Sequence, residues 1–102
     1  MLRTLFGLGP KVDIARLLAN GATIIDVRTK AEYAGGHVKG SINIPLDQLS
    51  AHLKKMRKDK PVITCCASGM RSASAASLLR GHQFDAHNGG PWTKVQAAIT
   101  SA

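Results

Sequence analysis

Apolar residues recur along this chain at two spacings, and the switches between them mark its elements. In "KVDIARLLANG" the residues Val12, Ile14, Leu17 and Leu18 share one face of a predicted helix. Asp13 stands at the N-cap position and Asn20-Gly21 closes the last turn. "ATIIDV" (Ala22 to Val27) is a continuous, β-branched apolar run with one acid near its end, which predicts a strand buried on both faces of a parallel sheet. Thr29 and Glu32 keep capping-box spacing, so "RTKAEYAGG" predicts a short helix that Gly35-Gly36 stops.

"SINIP" reads as a short extended segment ended by proline, and Leu46, Leu49, Leu53 and Met56 then return at helical spacing until Lys60-Pro61 breaks the pattern. "PVITCC" predicts a second buried strand, followed by a helix from Arg71 to Arg80 that Gly81 caps. "QFDAHN" is expected to be a third strand, "GG" a turn, and "PWTKVQAAIT" a last helix with Pro91 at its start. Strands alternating with helices imply right-handed crossovers and a parallel sheet covered on both faces. In such sheets, functional groups collect beyond the carboxyl ends of the strands, which is where Cys66 falls.

With 102 residues the chain suits one domain, taken as 11–102, and residues 1–10 are expected to form an edge strand or a loose arm. One Trp, one Tyr and two Phe leave a core of Ile, Leu, Val and Ala. The opening "MLRTLFGLGP" is too short for a signal peptide, and no run reaches the roughly 20 apolar residues of a membrane span, so a soluble protein is expected. Two adjacent cysteines do not make a disulfide framework, which suits a reducing compartment such as the cytoplasm. A net charge of +8 implies an anionic partner. The basic cluster "LKKMRKDK" has no interleaved aromatics for base stacking and reads as the solvated end of a helix, so a small anion is preferred to nucleic acid.

The chemistry concentrates in "CCASGMRS". Strand periodicity turns Cys65 and Cys66 to opposite faces, which assigns Cys65 to the core and Cys66 to a site. Behind Cys66, the loop residues Ala67, Ser68, Gly69, Met70 and Arg71 lead into a helix N-terminus, and inward-turned amides there form an anion bowl. A thiol on its floor is expected to be held as thiolate, unless it is simply a buried hydrophobe. Gly69 supplies a backbone angle that a Cβ would forbid, and Arg71 puts a positive charge on the rim. Ser72, Ala73 and Ala75 are small enough for the helix to pack beneath the loop. Asp26 and Arg28 lie at a strand end near this loop, where they either tune it or pair with other charges to fix its geometry. His37 is expected to bond backbone in a turn, and His52, His82 and His87 lack ligand-like spacing to the cysteines. Trp92 is expected to pack in the core or at the rim, and Gly89-Gly90 to bring a backbone turn close to the site.

These residues resemble the rhodanese family. "CASGMRS" (Cys66 to Ser72) is similar to its Cys-x-x-Gly-x-Arg-Ser loop, "IIDVRTKAEYAGGHVKGSINIP" (Ile24 to Pro45) to its Asp-Val-Arg, Glu-Tyr, Gly-His and Asn-Ile-Pro series, and "HNGGPW" to its late Gly-Gly turn. The resemblance spans residues 11–99 and implies an α/β domain with a five-stranded parallel sheet and helices on both faces. It implies a sulfurtransferase in which Cys66 takes the outer sulfur of thiosulfate or of another persulfide donor and passes it to cyanide or to a thiol, that of a protein included. The amides from Ala67 to Arg71 would hold that sulfur, with Asp26, Arg28 and Ser72 in support, and neither metal nor organic cofactor would be needed.

Phosphatases of the same fold carry a loop one residue longer, whereas the six residues from Cys66 to Arg71 suit a single sulfur. The chain departs from the family in having Cys65 where an aromatic residue is common and Ala67 where a basic or polar one is common, which leaves the identity of the donor open. Rival readings are a non-catalytic protein-binding module and a redox role for both cysteines.

Overall fold

A computed structural model of the protein describes residues 12–100. Four strands, β1 (Thr23–Asp26), β2 (Ile42–Asn43), β3 (Val62–Cys66) and β4 (Ala86–Pro91), form a parallel sheet in the order β2-β1-β3-β4. The helices are α1 (Ile14–Ala19), α2 (Lys30–Ala34), α3 (Leu49–His52), α4 (Met70–Gly81) and α5 (Trp92–Thr100). Five strands were expected and four are present among the described residues; the edge strand or arm proposed for residues 1–10 lies outside them.

The two central strands are apolar throughout because both faces of the sheet are covered. Ile25, Val27, Val62 and Cys66 pack on one side against Leu49 of α3 and Ala75, Ala76 and Leu79 of α4. Ile24, Ile63 and Cys65 pack on the other side against Ile14 of α1 and Val95 of α5. Neighbouring strand residues face opposite ways, so the two cysteines enter different cores, as their adjacency predicts.

The caps follow the predicted chemistry. Asp13 accepts from the Arg16 amide at 3.1 Å, and the Thr29 hydroxyl accepts from the Glu32 amide at 3.2 Å while Glu32 Oε1 accepts from the Thr29 amide at 3.0 Å. Three boundaries differ from expectation. The single helix expected through Leu46 to Met56 is divided into a 3₁₀ turn (Leu46–Gln48), α3 and a second 3₁₀ turn (Leu53–Lys55). Leu46 and Leu49, like Leu53 and Met56, are three residues apart, a spacing that the tighter turn keeps on one side. Gly81 does not cap α4 but ends it; the left-handed residue is Gln83 (φ 67°). The overrun lets Phe84 bury its ring while its amide donates to Leu79 O at 3.0 Å.

The third difference lies in the last strand, which covers Ala86–Pro91 and not 83–88, so Gly89-Gly90 is strand and not a free turn. Its register with β3 shifts between Thr64 and Cys66, and the reason is proximity. A Cβ on Gly89 would stand 2.7 Å from Ile63 Cγ2 and 2.9 Å from both Thr64 O and Val95 Cγ2. Gly89→Ala should therefore lower the urea-unfolding free energy by about 1–3 kcal/mol through overpacking. Gly81→Ala, where an added Cβ meets nothing within 4 Å, should raise it by up to about 1 kcal/mol.

Candidate active site

Strand β3 ends at Cys66, helix α4 begins at Met70, and the three residues between must reverse the chain. Gly69 makes this possible with φ 101°, and it lies so close to β4 that a Cβ would stand 3.4 Å from Gly90 Cα. The curled backbone aims its amides at the thiol: Gly69 N–H donates to Cys66 Sγ at 3.0 Å and Ser72 N–H at 3.4 Å. The thiol donates to Ser72 Oγ at 3.3 Å, and the Ser72 hydroxyl donates to Asn88 Oδ1 at 2.6 Å.

Cys66 is fully buried, beneath exposed Ala67, Ser68 and Met70. Burial is the largest single influence on its acidity and raises the pKa. The hydroxyl and amide of Ser72 and the amides of Gly69 and Ser68 act the other way, and together they bring the thiol below its ordinary value. Cys65 has no such donors. Burial, reinforced by the Asp26 carboxylate, pushes its thiol up to about 12, so it remains neutral packing.

Asn88 fastens the loop from β4. Its Nδ2 donates to Gly69 O at 3.2 Å, while its Oδ1 accepts from Gly90 N–H at 2.9 Å as well as from Ser72. When Cys66 loses its proton, the Ser72 hydroxyl can turn to the sulfur and Asn88 Oδ1 still keeps the Gly90 amide.

Arg71 lies in the first turn of α4, half-buried, and its charge is not free. Its two terminal nitrogens donate to the two oxygens of Glu32, at 2.8 and 3.0 Å, and that partner holds the Glu32 carboxyl down to about 2. Beside Arg71 opens a cleft of about 370 Å³ lined by Val27, Thr29, Pro45, Leu46 and Asp47.

Asp26 and Arg28 pair with each other, both buried, with Arg28 Nε 3.0 Å from both carboxylate oxygens and one terminal nitrogen 2.8 Å from Oδ2. The pair lies on the Cys65 side of the sheet. Arg28 also donates to Glu32 O and Gly36 O and sits 5.0 Å over the Trp92 ring, so it fixes the segment after α2 and not the cysteine loop itself. Ala73 is exposed; Ser72, Ala75 and Ala76 are the small residues packed beneath the loop. His37 Nδ1 is 2.7 Å from Tyr33 O, with its ring stacked on Tyr33. Among the described residues no cluster of His, Cys, Asp and Glu has metal-site geometry, and no helix is long and apolar enough to cross a membrane.

Three residues of the site escaped the sequence reading. Glu32 was assigned only to a cap, and one carboxylate serves both the cap and Arg71. Asn88 and Asp47 had no periodic or motif signal beyond their position before Gly89-Gly90 and after Pro45-Leu46.

The model of the rhodanese-like domain matches residues 11–95. The chain is 48% identical over 59 residues to the uncharacterized protein YqhL of Bacillus subtilis, covering 58% of this chain and 47% of that one. It is 32% identical over 77 residues to the thiosulfate sulfurtransferase GlpE of Pseudomonas entomophila, covering 76% and 70%. The crystal structure of reduced Bacillus anthracis CoADR-RHD superposes with a TM-score of 0.75 at 33% identity over 97% of this chain, which spans 18% of that one. The chain thus spans less than half the length of two of these three proteins.

Two substitutions separate the roles of the buried groups. Ser72→Ala removes a donor to the thiolate, so the pH profile of iodoacetamide alkylation at Cys66 should move to higher pH, with slower alkylation at neutrality. Asp26→Asn leaves Arg28 buried without its counter-charge and should cost about 3–5 kcal/mol in chemical denaturation.

Proposed function

The chain belongs to the rhodanese-like domain family, and from that premise we propose that it is a sulfurtransferase working through a persulfide on Cys66. The observation that carries this reading is the convergence of the Gly69 and Ser72 amides and the Ser72 hydroxyl on one buried sulfur at a strand end. Such donors act on charge where it resides during the reaction, first on the thiolate and then on the outer sulfur of the persulfide.

In the first step the Cys66 thiolate attacks the outer sulfur of a donor such as thiosulfate. The Sγ–S bond forms, the donor's S–S bond breaks, and its electron pair leaves on sulfite. In the second step an acceptor, cyanide or a thiol of a small molecule or a protein, attacks the outer sulfur and the thiolate returns. The sulfur is held covalently throughout, so the reaction calls for no metal or organic cofactor. The donor reaches Sγ from the side of exposed Ala67, Ser68 and Met70, the amides from Ala67 to Arg71 surround the transferred sulfur, and Ser72, with Asp26 and Arg28 more remotely, supports the frame.

The basic surface, +8 overall, draws anionic donors toward the protein. Two free cysteines fit the reducing cytoplasm, and the absence of stacking aromatics in "LKKMRKDK" speaks against nucleic acid as a partner.

Intact-mass measurement after incubation with thiosulfate or a low-molecular-weight persulfide should show wild-type protein heavier by one sulfur atom, and cyanide should remove it. Cys65→Ala should gain the same mass and Cys66→Ala none. An unchanged wild-type mass with every sulfane donor would overturn the assignment in favour of a binding module.

A further inference from the structure

The charges around the mouth of the loop do not suit a doubly charged donor. Both terminal nitrogens of Arg71 are taken by Glu32, and Asp47 lines the same cleft, so the near lip carries one positive and two negative side chains. The rest of that lip is largely apolar and uncharged: Val27, Pro45 and Leu46 line the cleft with Thr29, and Met70, 78% exposed, stands at the start of α4. Next to Gly90 stands Lys94, whose aliphatic Cδ would lie 3.8 Å from a Cβ on Gly90. Ala67 and Ser68 add no charge.

We propose that Glu32, by occupying Arg71, and Asp47, by facing the same cleft, select against dianionic donors, so that the preferred donor is a persulfide on an uncharged, apolar-flanked carrier such as a cysteine within a peptide or protein. This rests on the sulfurtransferase reading above. The transfer balances without a further reactant: Cys66 thiolate attacks the outer sulfur of R–S–SH, the Sγ–S bond forms, the S–S bond of the persulfide breaks, its electron pair leaves on R–S⁻, and the outer sulfur keeps its proton. A thiosulfate dianion making the same approach meets a local excess of negative charge, while the neutral carrier meets apolar wall. Glu32 is thus a specificity-determining residue, distinct from the atoms that react.

The test compares kcat/KM for thiosulfate with that for N-acetylcysteine methyl ester persulfide, with cyanide as common acceptor. Glu32→Gln keeps a side chain able to complete the α2 cap, and it should shift the ratio toward thiosulfate by about tenfold, mainly through KM. Asp47→Asn, which leaves the Arg71 partner in place, should shift it the same way by less and carries the test should Glu32→Gln fold poorly. A ratio unmoved in both variants, or moved toward the persulfide, overturns the proposal, as does loss of thiosulfate turnover in Lys94→Gln alone, which would place charge recognition on the far lip. If neither donor places sulfur on wild-type Cys66, it is the sulfurtransferase reading that fails.

Discussion

A sulfur anion sealed from water survives only where the protein replaces the hydrogen bonds that water would have made. At Cys66 burial and hydrogen bonding oppose each other, and the outcome depends on donors that come from the backbone of the turn itself. Much of the architecture follows from keeping those donors in place. Gly69 must be left-handed, α4 must begin after only three intervening residues, and β4 must pass close enough for Asn88 to grip Gly69 O.

The closeness of β4 has its own requirement. Gly89 lies against Ile63 and Thr64 with no space for a methyl group, and Gly90 touches Gly69, so the two glycines bring one backbone under another. The same strand then supplies the Asn88 side chain that accepts from Ser72. Packing and chemistry are therefore coupled through one short segment: moving β4 outward would loosen the core and withdraw the acceptor that orients Ser72.

The sequence made the helix caps, the buried strands and the opposed cysteines legible because each depends on local spacing. Asp13, Thr29 and Glu32 announce their caps within four residues, and the adjacency of Cys65 and Cys66 decides their faces through strand geometry alone. The cysteine loop was readable for the same reason, its small residues, Gly69 and helix start being contiguous. What could not be read were partnerships across the fold. Glu32 and Arg71 are 39 residues apart, and Asn88 is 16 from Ser72; nothing in spacing shows that a capping carboxylate has a second partner. The strand boundary at Ala86–Pro91 was misplaced because Gly89-Gly90 signals a turn locally, while the tertiary contact with β3 asks for a strand without side chains.

Charge acts at two ranges in this molecule, and the two need not agree. The overall +8 is a property of many scattered lysines and arginines and governs encounter over distances near the Debye length, about 8 Å in physiological salt. Beside Arg71 the local balance differs, for Glu32 pairs with Arg71 and Asp47 adds a further negative charge to the same cleft. Under the donor selection proposed above, the basic surface would gather anionic partners while Glu32 and Asp47 disfavour dianions at the reacting atom.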